Sequence, residues 1–464
     1  MSSKNIKGYV LLGVILSIGL QSCNITKSYK APEVDTENMY RDMNPTDTTT
    51  IASIPWREYF KDPLLQALID ECLENNFDLK IAGSRLEQAG ANLSIAKAAF
   101  FPTVALGAQV EHNRNSRSGD VLKDYSNAYS LGLVTTWELD LWGKMSRQKK
   151  AAFAQFLSSQ EYRNLVQTNL ISGVATSYYT LLSLDEQLRV SKEAIVLLRE
   201  MVTTMDELMK AGMQNGAAVE QTKATLYNTE VSIPDLENSI KQLENSISTM
   251  LGRKPGPITR GSLADQVVPQ ELKVGLPVQM LARRPDVKSA ELGMRSAFEL
   301  AVAAQASLYP SIKLTSGMIG YGSNTLSKFF QPENILASLI GGLTQPLFAG
   351  NQLKANLKIQ KAEQQIALLT FEKTVLTAGQ EVSDIMYTYE TSMRKNEFRD
   401  KQVESLEKSV EYTQLLLKAG EANYIEVITA EQSLLQAQLG RVSDKLQQLQ
   451  STVDLYKALG GGVE

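Results

Sequence analysis

The chain repeats itself at a fixed spacing. Pro102 in Phe100-Phe101-Pro102-Thr103 returns as Pro310 in Leu308-Tyr309-Pro310-Ser311, and Lys210-Ala211-Gly212 returns as Lys418-Ala419-Gly420, both 208 residues on. The same spacing pairs Asp78 with Asp286, Ala82 with Ala290, Ala89 with Ala297, Ala96 with Ala304 and Leu251-Gly252 with Leu459-Gly460, and it slips to 207 between Gly143 and Gly350. A unit of about 200 residues is too long for a solenoid repeat and fits two similar halves of one domain. The 464 residues, which by length alone suggest about three domains, are therefore read as a first repeat over 62–256, a linker over 257–275 and a second repeat over 276–464.

Each half has the same order of parts. An alanine-rich helical segment (Leu64 to Ala99; Pro277 to Ser307) ends before the proline anchor. Two β-like stretches follow as a hairpin, 103–142 in the first half and 311–349 in the second. Val104, Leu106, Ala108 and Val110 alternate with polar or small residues, as do Tyr129, Leu131, Leu133, Thr135, Trp137 and Leu139, which predicts strands with one apolar face. The links Glu111 to Asn127 and Gly320 to Asn334 are mostly polar and are predicted as surface loops.

Then come two very long helices, 144–209 and 351–417, each free of proline and holding one glycine, Gly173 or Gly379. At 1.5 Å per residue each would reach about 100 Å. Leu181, Leu184, Leu188, Ser191, Ile195, Leu198, Val202, Met205 and Met209 step by three and four, and Val403, Leu406, Val410, Thr413 and Leu417 keep that register in the second half. Such seams predict left-handed coiled-coil packing. Lys-Ala-Gly turns end both helices, and return helices follow over 217–251 and 425–459, the first containing Pro234, which predicts a kink.

The N-terminus reads as an export signal. Lys4 and Lys7 precede an uncharged run from Gly8 to Leu20, too short to span a membrane and suited to a secretory leader over 1–22. Leu20-Gln21-Ser22-Cys23 resembles a bacterial lipoprotein cleavage box, although Gln21 stands where a small residue is usual; the resemblance implies a diacylated Cys23 opening an N-terminal segment over 23–61. Asn24 is not the aspartate that resembles an inner-membrane retention signal, which points to the outer membrane. Cys72 is then left unpaired.

Composition excludes other classes. With 51 acidic against 47 basic residues the chain lacks the basic excess of a nucleic-acid binder. One histidine, His112, and two cysteines make no multi-histidine or cysteine-rich metal site. No Gly-x-x-x-x-Gly-Lys-Ser/Thr phosphate loop is present, and no nucleophile, base and orienter assemble around His112, placed in a loop. Neither an enzyme nor a cofactor is expected. No other apolar run reaches 18 residues, so any membrane-spanning part must be β.

Four strands per chain cannot close a barrel, yet open edges are forbidden in lipid. Strands must be pooled between copies: two chains give eight and three give twelve. Phe100, Phe101, Trp137, Trp142, Tyr309 and Phe348 fall at one end of the strands, where an interfacial girdle belongs.

The most specific pieces are Trp56 with Phe60-Lys61-Asp62-Pro63-Leu64, then Trp137-Glu138-Leu139-Asp140-Leu141-Trp142-Gly143, Leu251-Gly252-Arg253-Lys254-Pro255-Gly256, and Gly275-Leu276-Pro277 followed by Arg283-Arg284-Pro285-Asp286-Val287. Together they resemble the TolC-like outer-membrane efflux proteins, in the lipoprotein branch that serves tripartite pumps. The resemblance runs from Tyr29 to Gly460. It implies a mainly α fold with a membrane β-barrel: a homotrimer with a twelve-stranded barrel, four strands per chain, continuing into a coiled-coil tunnel in the periplasm. It also implies a passive exit duct for small toxic compounds, with a periplasmic adaptor, a proton-driven inner-membrane transporter and outer-membrane lipid as partners.

By the same resemblance the periplasmic helix ends close as a gate. Ile425 falls where the family places an apolar constriction, and Thr429 where many relatives carry an aspartate before the alanine, here Ala430. Glu426 and Glu431 are the alternatives for the missing acid, or both are solvated helix-face residues. Lys210, Ala211 and Gly212 with Lys418, Ala419 and Gly420 resemble the turns that meet the adaptor. Rival readings are a type I secretion duct, a heavy-metal efflux duct or a structural coiled-coil lipoprotein. Met201, Met205, Met209 and Met213, spaced by four, read as packing ahead of a soft-metal path.

Overall fold

The computed structural model describes residues 28–41, 49–115, 124–268, 274–346 and 349–463. The leader over 1–22, Cys23 and Phe348 lie outside the described residues. The chain divides into two compact units, one of Met1–Glu33, Leu86–Ser159 and Ser289–Phe371, the other of Val34–Arg85, Gln160–Lys288 and Glu372–Glu464. Each repeat contributes two helices, two strands and two more helices, in that order. In the first these are α1 (Pro63–Asn75), α2 (Phe77–Ala98), β1 (Thr103–Asn115), β2 (Asp124–Leu139), α3 (Lys144–Lys210) and α4 (Gly216–Met250). In the second they are α5 (Pro277–Arg283), α6 (Pro285–Ala306), β3 (Ser311–Ser323), β4 (Ile335–Thr344), α7 (Gln352–Ala419) and α8 (Tyr424–Ala458). No described helix is long and apolar enough to cross a membrane.

The first unit carries an antiparallel sheet in the order β1-β2-β3-β4. Its register brings Val104, Leu106 and Val110 beside Leu131, Leu133 and Trp137, then Ile312, Leu314, Ile319 and Tyr321, then Ile335 and Leu343, all on one face. Gln109, Ser130, Thr136, Glu138, Lys313, Gly320 and Gly342 share the other, with Val134, Leu336 and Ile340 as its apolar members. The hairpin strands run further than the apolar pattern. His112, expected in a loop, is a β1 residue paired with Asn127, and its Nδ1 lies 2.6 Å from Asn127 Oδ1. A ladder is held by backbone hydrogen bonds, so polar residues extend it without an apolar face to announce it.

In the second unit the helical segment before each strand pair is two helices where the sequence predicts one. Asn76 breaks the first, its Oδ1 accepting from the N–H groups of Asp78 (2.8 Å) and Leu79 (3.1 Å) as a cap. Arg284 breaks the second, extended because Pro285 follows it. The two breaks are 208 residues apart, so the duplication preserved a kink that helix periodicity does not reveal. Asp62 caps α1 through Leu64 N–H at 2.8 Å and also accepts from the Tyr178 hydroxyl at 2.7 Å. Trp56 and Phe60 are buried beside it, and Tyr59 stacks on Tyr456 at 4.3 Å. Each fully buried aromatic or aliphatic side chain contributes about 1.5–3 kcal/mol. Pro234 lies inside α4 without ending it.

Gly252 and Gly460 close the return helices with φ of +68° and +88°. A Cβ on them would lie 2.7 Å from the Asn75 oxygen and 2.9 Å from the Arg283 carbonyl carbon. Only glycine meets both demands, left-handed backbone and contact with the helix break.

Candidate functional site

The helix tips lie in the second unit. Gly212 (φ +74°) and Gly420 (φ +77°) end α3 and α7. Gly212 N–H donates to Met209 O at 3.0 Å and Met213 N–H to Leu208 O at 2.9 Å; one repeat later Gly420 reaches Leu417 O at 3.1 Å and Glu421 reaches Leu416 O at 2.9 Å. These left-handed caps satisfy the last carbonyls. Asn215 and Asn423 then cap α4 and α8 through Ala218 N–H (3.0 Å) and Ile425 N–H (3.3 Å). Lys210, Ala211, Gly212, Lys418, Ala419 and Gly420 are all exposed. Lys210 is tied to Asp206 at 2.6 Å, which raises its pKa, whereas Lys418 has no ion pair among the described residues.

The first turns of α8 separate the four gate candidates. Ile425, 52% exposed, Glu426 and Thr429 face outward, and the Thr429 hydroxyl donates back to Ile425 O at 2.7 Å. Val427, Ile428 and Ala430 face inward with Glu431, which is only 9% exposed. Gln414 Nε2 donates to Glu431 Oε1 at 2.9 Å, and burial raises the carboxyl pKa, which that bond lowers in part. Glu431 is thus a buried internal acid and not a member of the outward strip.

A cavity of about 530 Å³ opens beside it, lined by Met201, Met205, Met213, Leu417, Lys418 and Glu431 among others. Met205 is buried in the seam with Ile195 and Leu198, while Met209 packs toward Gly216 and does not line the cavity. The spacing of four placed the methionines on one stripe but could not show that a chain reversal brings Gln414 against Glu431.

In the first unit the aromatic residues at the sheet end form two groups. Trp137 Nε1 donates to Phe100 O at 3.0 Å, and Phe101 beside them is 71% exposed. Trp142 lies 5.3 Å from Tyr309 and donates to Pro310 O at 2.6 Å. At the other end of the sheet Tyr321, Phe329 and Phe330 form a further cluster, with Phe330 5.5 Å from Tyr321 and 5.0 Å from Phe329. Apolar alternation does not reveal this cluster; its trace in the sequence is the adjacent pair Phe329 and Phe330 in a mostly polar link.

An apolar sheet face bounded by two aromatic ends, and a helical hairpin that recurs in each repeat, match a known architecture. The model of the outer membrane efflux protein family matches residues 68–253 and again 276–461. The chain belongs to that family. It is 29% identical to the probable outer membrane lipoprotein SilC of Salmonella typhimurium over 88% of both chains. It is likewise 29% identical to the solvent efflux pump outer membrane protein SrpC of Pseudomonas putida over 96% of both. The cation efflux system protein CusC of Escherichia coli is 27% identical over 97% of this chain and 98% of its own. Among solved structures, the outer-membrane channel OprN superposes with a TM-score of 0.89 at 23% identity, covering 95% of this chain and all of that one, 100%. The open-state MtrE channel of Neisseria gonorrhoeae has a TM-score of 0.84 at 26% identity, covering 95% and 99%. The chain is an outer-membrane efflux protein with the channel fold built from two repeats of one unit.

Proposed function

We propose that three copies of this chain form the exit duct of a tripartite efflux pump, a homotrimer whose pooled strands close a twelve-stranded barrel continued by a helical tunnel. The observation that carries this reading is the sheet. It has an apolar face across all four strands, and among the described residues β1 and β4 each lack a neighbour on their outer side. In hydrocarbon every unpaired N–H or C=O costs several kcal/mol, so the edges need strands from other copies. Three copies rather than two give a pore of useful width.

Transport energy comes from a proton-driven inner-membrane transporter, reached through a periplasmic adaptor that seats on the two exposed Lys-Ala-Gly turns. Lys418, with no ion pair among the described residues, is the cation an acidic adaptor side chain would meet. Ile425 and Thr429 line the closed gate with Glu426 as its acid, since Glu431 is turned toward Gln414. A diacyl group on Cys23 anchors the N-terminus to the outer membrane. The cargo is small toxic compounds, a class that the solvent pump named for SrpC supports.

The test pairs growth with conductance. Deletion is expected to sensitise cells to amphiphilic toxicants and solvents. The purified protein in planar bilayers is expected to be nearly closed and to change ion selectivity with Glu426→Ala or Thr429→Asp. Unaltered susceptibility together with loss of one exported polypeptide would move the assignment to secretion. A second reading, cation efflux, is favoured by Met201, Met205 and Met213 lining one cavity beside Glu431, since thioethers suit soft cations. Sensitivity confined to silver or copper ions would select it.

A further inference from the structure

One end of the sheet holds a cation that has no ion pair among the described residues. Lys149, in the second turn of α3, lies with Nζ 4.9 Å from the centroid of the Phe100 ring. The carbonyl of Phe100 takes the indole N–H of Trp137, and Trp137 stands on the apolar face of the sheet. Lys149 is therefore beside the apolar face of the sheet. Glu138 and Lys313 stand on the opposite, polar face.

Charge around this point is one-sided. Residues 88–110 and 141–160 contain no aspartate or glutamate, yet they include Lys97, Lys144, Arg147, Lys149 and Lys150. Glu138 holds Lys144 at 2.7 Å and Glu299 holds Arg147 at 2.8 Å. Lys97, Lys149 and Lys150 have no ion pair among the described residues.

The second repeat makes the same backbone contact with other chemistry. Gln345, 208 residues after Trp137, donates to the Leu308 carbonyl at 3.1 Å. The aromatic pair is thus replaced by a glutamine and a leucine, and Lys149 is matched at the local spacing of 207 by Asn356. The hydrogen bond is common to both repeats, whereas the ring, the indole and the ammonium occur at this place in the first repeat and not in the second.

We propose that this rim, built by Lys149, Phe100 and Trp137 with the exposed Lys150 next along α3, holds the phosphate of an anionic phospholipid in the periplasmic leaflet. The inference rests on the outer-membrane barrel reading. Long cationic side chains reach from an interfacial position to headgroups while their stems lie on apolar rings. The exposed Phe101 and the apolar sheet face adjoining the site offer the acyl chains a surface, which a free phosphate ion would not use.

The test reconstitutes the full-length protein in vesicles of equal phosphatidylglycerol and phosphatidylcholine, extracts it in mild detergent and measures the co-purifying lipid. The wild type is expected to be enriched about five-fold in phosphatidylglycerol, falling to near parity in the Lys149→Gln, Lys150→Gln double variant and in Trp137→Gln. Trp137→Gln installs the residue the second repeat already uses, so the hydrogen bond to residue 100 is kept. Lys354→Gln with Lys358→Gln, near the start of α7, is expected to leave the enrichment unchanged. Equal enrichment in the double variant and the wild type would overturn the proposal, as would displacement of the lipid by inorganic phosphate. Failure of the wild type to enter phosphatidylcholine vesicles at all would instead overturn the barrel reading.

Discussion

Asn76 donates from Nδ2 to the carbonyl of Met250 at 2.8 Å, and the pair one repeat later, Arg284 and Ala458, makes the same bond at 2.9 Å. In both repeats the break in the short helical segment is tied to the last turn of the return helix, across 174 residues of chain. The chemistry has diverged. Asn76 is neutral, whereas Arg284 also reaches Asp286 at 2.6 Å and Glu381 at 2.8 Å from a side chain 7% exposed.

That difference sets the first prediction. Asn76→Ala removes a buried amide and is expected to cost about 1–2 kcal/mol. Arg284→Ala strands the Asp286 carboxylate near its lost partner and is expected to cost about 3–5 kcal/mol. Thermal unfolding followed by circular dichroism measures both; equal losses would show that the arginine network adds nothing to the shared bond.

The four turn glycines should separate into two classes. Gly212 and Gly420 have positive φ but open space where a Cβ would go, whereas Gly252 and Gly460 face the backbone of Asn75 and Arg283. Alanine at the tips is expected to cost only the left-handed penalty of about 1–2 kcal/mol. At Gly252 or Gly460 it must also displace backbone, and the loss should be clearly larger. The same unfolding midpoint decides, and a uniform loss across all four would contradict the packing.

Glu431 makes the tip sensitive to pH. Burial raises its carboxyl pKa above the ordinary value of 4.5. The folded tip thus favours the protonated acid, and its contribution to stability is full below that value and is lost as pH rises through the folded pKa. Acidification from neutral pH is expected to tighten the packing of α8 on α7. Glu431→Gln should hold the tight state at all pH values, and hydrogen exchange at Val427 and Ile428 reports it. Exchange that varies with pH equally in both proteins would reject the assignment.

Cys72 should be chemically silent. Its thiol is buried, donates to the Met250 carbonyl at 3.3 Å, and has a pKa pushed up to about 11 by burial. Only the thiolate reacts with alkylating agents. In a Cys23→Ser background, iodoacetamide at pH 8 is expected to label Cys72 only after unfolding. Prompt labelling in the native state would mean that the α1 to α4 contact opens freely.

Much of this protein was written in local patterns. Alternation at Leu131, Leu133 and Trp137 announced a sheet with one apolar face, because a strand turns successive side chains to opposite sides. The three-four stepping through Ile195, Leu198 and Met205 announced the seam, because the helix brings those positions to one stripe. Where polar residues continue a strand, as at His112, or where a single Asn76 halts a helix, the local pattern is silent.

By itself the sequence determined the duplication, the order of elements, the apolar sheet face and the two glycine-capped turns, all consequences of spacing along the chain. Tertiary structure decided which side chains within those elements meet. Glu426 and Glu431 sit on the same helix within five residues, yet one faces outward and the other receives a hydrogen bond from Gln414. Asn76 and Arg284 find carbonyls on a distant helix. Such contacts depend on how separate helices approach one another, and that approach is set by the packing of the whole core rather than by any window of residues.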